Sequence, residues 1–584
     1  MKTLISNLEI LEPRLAPAGV VTLTTVNGVL TVTGTTDSNN ILITESAPGE
    51  WRVMETAPSG TTFRLNGAAA VASVVMPAQN TIQLNLLGGA LDILQINNLK
   101  LAGDLNINGG DGVDQINIYT SHVVGKVGFD GGNGDDYFNM DTSSSIGGAV
   151  SLKGGAGADT VEFYGSQFGA GVTVDLGSGA NGFYMSGTAT VFGNLTISAA
   201  GTPLGTQSVN IGGTGSVGGN LTVKSTSSPL FMNLTATPGD NLRIGGGLTV
   251  QTGAGNDTIN MANTLYVGGS FTINAGNGNN YLTQNSGTLT AGTIKYTGGT
   301  GADWLQFIGA NVVTGAGTSI NLGSGGINRL DLSCTSSVRI AGALNLVGGT
   351  GVDDLIVQTP VLNITGTLSF NAAAGTNSMT FKPVNANVGA VNYTGGNGSD
   401  NIDIGDYLSG AVTRITVSGG ITSSLGAGDN VMDLRDTVIQ GAVRITSSSA
   451  STLLERVRLN EAIILGNLDI NLSGAAGSRV MVDDSTINGA TVISTGAGND
   501  TIEFESLAPG ANLTTFVGSV RILMGSDADY FIAGASPFAA NQGVNFLGTL
   551  LVDGGTSGDA AGFQVGYGNA FAVPATVVGV ETVT

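Results

Sequence analysis

The stretch GGDGVDQINI, from Gly109 to Ile118, joins a glycine-rich turn to a run with an apolar residue at every second position. Ile116 and Ile118 alternate there with Gln115 and Asn117. Successive side chains of an extended chain point to opposite faces, so the run reads as a strand with one face buried and one solvated. The same turn and run return as GGNGDDYFNM from Gly131 and GGAGADTVEF from Gly154, after 22 and then 23 residues. Further copies are TGAGNDTINM from Thr252, GGTGADWLQF from Gly298, GGTGVDDLIV from Gly348, GGNGSDNIDI from Gly395 and TGAGNDTIEF from Thr495. A weaker copy, AGNGNNYLTQ from Ala275, lies midway between Thr252 and Gly298.

A second apolar alternation precedes the turns, as in Leu105 and Ile107, Leu248 and Val250, or Phe271 and Ile273. Each repeat therefore holds two or three short strands. A unit with so few inward side chains cannot bury them alone, so neighbouring rungs must stack around one core. The expected fold is all-β: a parallel β-helix, or β-solenoid, of about 23-residue rungs, right-handed. Stacked at roughly 4.8 Å, the rungs from Gly109 to Gly555 predict a rod on the order of 100 Å long. Helical spacing is confined to one short stretch, near Leu453 to Val457, and glycine is too frequent elsewhere for helix.

Composition agrees with a stack. The 584 residues exceed an ordinary single-core domain, yet the 94 glycines are spread evenly, with no linker-like break. Hydrophobic residues at 41% against 11% charged argue against disorder. A net charge of −22 leaves no basic face for a phosphate backbone, which excludes nucleic acid as a partner and makes cations the natural counterpart. The single cysteine, Cys334, cannot form an internal disulfide and reads as a small core residue. His122 is the only histidine, which removes the usual zinc and Ser-His-Asp chemistries. No apolar run is long enough for a transmembrane helix.

Four regions are expected: a leader over 1–19, a β-rich cap over 20–101 with degenerate turns such as Asp37 to Asn40, the repeats over 102–565, and closing strands over 566–584. The leader contains LEPRLAPAG, from Leu11 to Gly19. It resembles the LEPR-type segment at the start of many planctomycete secreted and surface β-strand-repeat proteins. That resemblance implies export to the cell surface or beyond.

The turns are where chemistry is expected. Their glycines permit positive φ and close backbone approach, and their aspartates can cap nearby amides or offer hard oxygen ligands. The motif resembles the GGxGxDxUx calcium-binding repeat of the haemolysin-type, repeats-in-toxin family. By position in the motif, the resemblance implies calcium ligands at Asp114, Asp136, Asp159, Asp257, Asp303, Asp353, Asp400 and Asp500, with the tightest sites at the first three. In that family the motifs follow one another directly, whereas here one copy occurs per rung. Alternate rungs also carry Asn181, Asn280, Asn377 and Asn430 in place of the acid. Two accounts of the column stay open, a hydrogen-bonded Asp/Asn ladder and a set of calcium sites.

Between Arg414 and Asp484 arginines cluster with Asp433, Asp436, Glu455, Glu461 and Asp483, as in a polysaccharide lyase or hydrolase built on a β-helix. No lyase or glycosidase signature surrounds them. Arg414 and Arg444 precede Ile-Thr pairs in similar rungs, which predicts a stacked outer column. Trp304, Tyr137, Tyr281, Tyr530 and Phe163 follow the turns and are expected mostly in the core, with a carbohydrate platform as the other use of such rings. The expected protein is a secreted or cell-surface structural or adhesive β-solenoid without catalytic activity, stabilised by calcium in one version. Its expected partners are calcium and an extracellular polysaccharide or cell-envelope component. The alternative is the polysaccharide-active enzyme.

Overall fold

The computed structural model describes residues 19–580, 582 and 583, except 57–59, 90, 201–204, 236, 406–413, 448–453, 473–476, 507–512, 535–542, 557–559 and 563–568. The expected leader lies almost wholly outside the described residues. The chain forms two units, Met1–Asn233 with Gly239–Gly246, and Leu234–Pro238 with Gly247–Thr584. Each is a β-solenoid, and no described residue is helical. Where helical spacing had pointed to a turn near Leu453, Glu455–Asn460 is a strand, because Val457 and Leu459 alternate inward with Arg456 and Arg458 outward.

In the first unit one turn of the coil runs through His122–Val123, Val127–Asn133 and Tyr137–Met140. The next runs through Ser145–Ile146, Val150–Ala156 and Thr160–Tyr164, each strand parallel to its counterpart. Leu105, Val127, Val150, Val172, Leu195 and Leu221 therefore stand in one inward column. The cap mixes antiparallel hairpins with parallel pairs such as Val20–Val26 against Thr62–Leu65. Val20–Val26 folds back on Val29–Thr33 through Asn27 and Gly28, both at positive φ, the pair that a tight hairpin requires. Glu50–Met54 pairs antiparallel with Asn40–Ala47 and with Ser73–Pro77, and Trp51 is fully buried among them. Parallel stacking already includes Thr81–Asn85 and Leu91–Asn97, which precede the first strong turn motif.

In the second unit the corresponding column is Leu248, Phe271, Ile294, Thr318, Leu344, Leu368, Val391 and Ile421, continuing through Val443, Leu468, Thr491, Val520 and Leu550. Loop length absorbs the differences between rungs, and the strands keep register because a one-residue slip would turn every core side chain outward. Phenylalanines reinforce the stack: the rings of Phe516, Phe546 and Phe571 lie nearly parallel on consecutive rungs, 5.5 and 5.2 Å apart. The last described strands, Thr576–Val578 and Thr582–Val583, each add one parallel strand to a different wall.

Candidate functional site

The turn that opens the motif strand is tight for a physical reason. Gly132 and Gly134 have φ of 103° and 133°, and a methyl group on either would stand 1.8 or 1.6 Å from the carbonyl oxygen of Gly110 or Gly112 on the rung before. Only glycine tolerates both the dihedral angle and the contact.

The aspartate that closes the turn points into the protein. Asp114, Asp136, Asp159, Asp257, Asp303, Asp353, Asp400 and Asp500 are all at most 3% exposed. They share one column with Asn181, Asn280, Asn377 and Asn430, each column running within its own unit. On several rungs a side-chain oxygen accepts the backbone N–H of the column residue one rung earlier. Asp136 Oδ1 accepts from Asp114 N and Asp159 Oδ1 from Asp136 N, both at 2.9 Å, and Asn181 Oδ1 accepts from Asp159 N at 2.8 Å. In the second unit Asn328 Oδ1 accepts from Asp303 N, Asn377 Oδ1 from Asp353 N and Asn430 Oδ1 from Asp400 N.

The two units differ in electrostatics. In the second, asparagine amides donate to the next carboxylate: Asn280 to Asp303, Asn328 to Asp353 and Asn377 to Asp400, at 2.9 to 3.0 Å. The first stacks four acids in succession, Asp92, Asp114, Asp136 and Asp159. Burial pushes Asp114 up to about 7, and the charges of Asp136 and Asp92 push the same way. Burial likewise raises Asp159 to about 7 and Asp92 and Asp136 to about 6, against hydrogen bonds from backbone amides that pull down. Both oxygens of Asp114, and Oδ2 of Asp92, Asp136 and Asp159, are buried with no hydrogen-bond partner among the described residues.

Calcium takes six to eight oxygens. Each level of this ladder supplies a single carboxylate. Among the described residues no three His, Cys, Asp or Glu side chains converge to hold an ion. Asp136, Asp159, Asp303 and Asp500 accept backbone N–H groups of the rung before, and Asp353 and Asp400 accept its asparagine amide, so these six belong to an inter-rung hydrogen-bond ladder.

The column also has members that motif matching misses. Asp92 follows the degenerate turn LLGGAL, Asn328 follows a turn one residue longer, and Asn39, Glu455 and Asp529 also belong to it. Their signal is phase, an acid or amide two positions before the first inward apolar residue.

The arginine cluster is a set of ion pairs on outward columns, most of them between rungs. Arg458 grips Asp433 with two hydrogen bonds, at 3.0 and 2.9 Å, and Arg435 reaches the same carboxylate at 2.5 Å. Arg479 pairs with Glu503 at 3.0 Å. Arg414 and Arg444 do not share a column as expected: Arg444 stands opposite Thr422 on one segment, and Arg414 precedes Ile415–Val417 on another. At the corner that follows, Asp436, Glu461, Asp484 and Glu505 hold left-handed φ of 46° to 55° on successive rungs. A hydrogen bond with Asp436, then burial and the charges of Asp436 and Asp484, raise Glu461 against the opposing pull of Arg414.

The aromatic residues divide by phase. Phe163 is fully buried, as expected. Trp304 and Tyr530 are exposed, and Tyr137 and Tyr281 are partly so, because they follow directly on the inward aspartate, or on Asn280 for Tyr281, and take the outward phase of Gln115. Cys334 is in the core, where burial pushes its thiol up to about 12. No helix among the described residues is long and apolar enough to cross a membrane. No protein-family model matches the chain, and no curated protein or solved structure matches it either.

Proposed function

We propose that this chain is a non-catalytic structural and adhesive β-solenoid that acts at the cell surface or beyond it. The observation that carries this is the fate of the chemistry-bearing aspartates. They face the interior, and Asp136 and Asp159 among them accept backbone N–H groups of the neighbouring rung, so these carboxyls contribute to cohesion. Outward charges are likewise tied between rungs by pairs such as Arg458 with Asp433. Export rests on the resemblance of Leu11 to Gly19 to the LEPR-type segment, and fractionation of the native cells tests it.

Calcium stabilisation is the rival account of the same aspartates. Thermal unfolding with millimolar calcium and with a chelator, on the native chain and on an Asp114→Asn, Asp136→Asn, Asp159→Asn variant, divides the two. The ladder account expects calcium to leave each protein's midpoint unchanged. A calcium-dependent rise that only the native chain shows establishes metal sites. The enzyme alternative has one observation on its side, the Asp436 and Glu461 carboxyl pair. Release of reducing ends from a polysaccharide, lost in Glu461→Gln, would establish it.

A further inference from the structure

We propose that the outward face around Trp304 is a binding site for an uncharged glycan, a step that rests on the adhesive half of the function proposed above. In the second unit, Tyr281, Trp304, Arg329 and Asp354 occupy one outward column on four successive rungs. Gln306 and Asp331 stand beside them in the next outward column. Trp304 is 43% exposed in a column where other rungs place Thr258, Ser378 or Asn401. An indole left in water gains nothing for the fold, and Trp joins a large apolar plate to a polar edge, a combination suited to a ligand with both kinds of surface.

The ring is held in place before any ligand arrives. Tyr281 meets it at 82° with centroids 5.7 Å apart, and the Arg329 guanidinium lies 5.4 Å from its centroid. The Tyr281 hydroxyl donates to Gln306 Oε1 at 2.9 Å, which fixes the amide and leaves its nitrogen as a donor. Fixed side chains lose less entropy on binding.

The polar groups define the ligand. Arg329 only donates, and its Nε is buried with no hydrogen-bond partner among the described residues. Asp331, 3.6 Å away, is buried and accepts from the Ser333 hydroxyl, whereas Asp354, opposite Arg329 on the next rung, is partly exposed and accepts from Ser378 through Oδ1. Ionised carboxylates only accept. A pair of adjacent sugar hydroxyls both donates and accepts, so it satisfies guanidinium and carboxylate together while the sugar's C–H face lies on the indole. An acidic glycan fits less well, because Asp331 and Asp354 would repel its carboxylates.

Trp51 is fully buried, so ligand-induced changes in tryptophan emission report on Trp304. The full chain is titrated with cellohexaose, xylohexaose, mannohexaose and chitohexaose, and with trigalacturonate as the charged probe. The expected result is a saturable blue shift with at least one uncharged oligosaccharide and a weaker response to trigalacturonate. Calorimetry on Trp304→Ala and Arg329→Ala should show binding at least about tenfold weaker, roughly 1.4 kcal/mol, with melting midpoints unchanged. No saturable shift with any uncharged sugar, equal affinity in both variants, or preference for trigalacturonate overturns the site. Each of those results leaves the ladder and its calcium test untouched, so failure of the site and failure of the structural reading are separable.

Discussion

Asp114 Oδ2 lies so close to Gly109 that a methyl group on the glycine would stand 2.2 Å from it. The same fit recurs between Gly131 and Asp136, Gly154 and Asp159, Gly298 and Asp303, Gly348 and Asp353, and Gly395 and Asp400. Rungs that carry asparagine do not leave this space: Leu176, Ala275, Leu322, Ala372 and Leu425 stand where the glycine would be. Asn280 and Asn377 turn their amides instead toward the carbonyls of Gly278 and Gly375. Thr252 and Thr495 are a third solution, a small polar side chain five residues before Asp257 and Asp500. On these six rungs the first glycine of the motif is therefore a partner of the aspartate side chain, whereas Asp257, Asp500 and Asp529 follow Thr252, Thr495 and Met524 instead.

Gly109→Ala is accordingly expected to destabilise the first unit by about 1–3 kcal/mol, as overpacking does. Adding Asp114→Asn should recover part of that loss, since asparagine rungs tolerate a larger neighbour. A double-mutant cycle on melting midpoints measures the coupling. Strict additivity would separate the glycine from the carboxylate.

Asp136 accepts from Asp114 N while stacked between two other acids. Asp136→Asn keeps the acceptor and removes a buried charge, so at pH 8 the midpoint should rise, an effect on the order of 1 kcal/mol. Asp136→Ala leaves the Asp114 amide buried and unpaired, at a cost of about 1–3 kcal/mol. Equal melting of the two variants would mean that the hydrogen bond contributes nothing.

The stack itself is plain in the sequence, because period-two alternation after a recurring turn admits few other folds. The direction of the aspartates is equally present in the phase: Asp114, Ile116 and Ile118 are separated by two, so all three must face the same way. Treating Asp114 as a turn residue, exposed to an ion, hides this. The same phase places Trp304 with Gln115 on the outer face. What lies beyond the sequence is which outward neighbours meet. Arg414 and Arg444 share a local context but sit on different segments, since the chain's path between them turns a corner that no motif marks.

The Asp433 pair tests the outward columns. Its carboxylate is 7% exposed and receives two hydrogen bonds from Arg458 across one rung. Two-point charge-assisted contacts exceed ordinary surface pairs. Asp433→Ala should lower stability by about 1–2 kcal/mol, more than Lys153→Ala, which removes an exposed 3.5 Å pair with Asp130. Comparison of the two midpoints in low and high salt checks this, with the Lys153 variant the more sensitive to salt.

The run of four acids in the first unit contributes to the pH dependence beside Asp400, Glu455, Asp500 and Glu505 of the second unit, which burial raises to between about 6 and about 7. Asp92, Asp114, Asp136 and Asp159 are raised from 3.8 to between about 6 and about 7, chiefly by burial. A carboxyl raised in the folded state holds its proton more tightly there than in the unfolded chain. Its stabilising contribution is complete below pH about 4 and is lost as pH rises through 6 to 7. Melting midpoints should therefore fall between pH 5 and pH 8. Repulsion among the surface acids of a chain with a net charge of −22 acts in the same direction, so the slope alone does not identify the ladder. The Asp114→Asn, Asp136→Asn, Asp159→Asn variant does, because it removes three of the four buried titrations of the first unit and leaves the surface and the second unit's buried acids unchanged. Its midpoint should vary less over this interval than that of the native chain, and the two curves should differ most above pH 7. Parallel curves for the two proteins would show that Asp114, Asp136 and Asp159 do not titrate in this range.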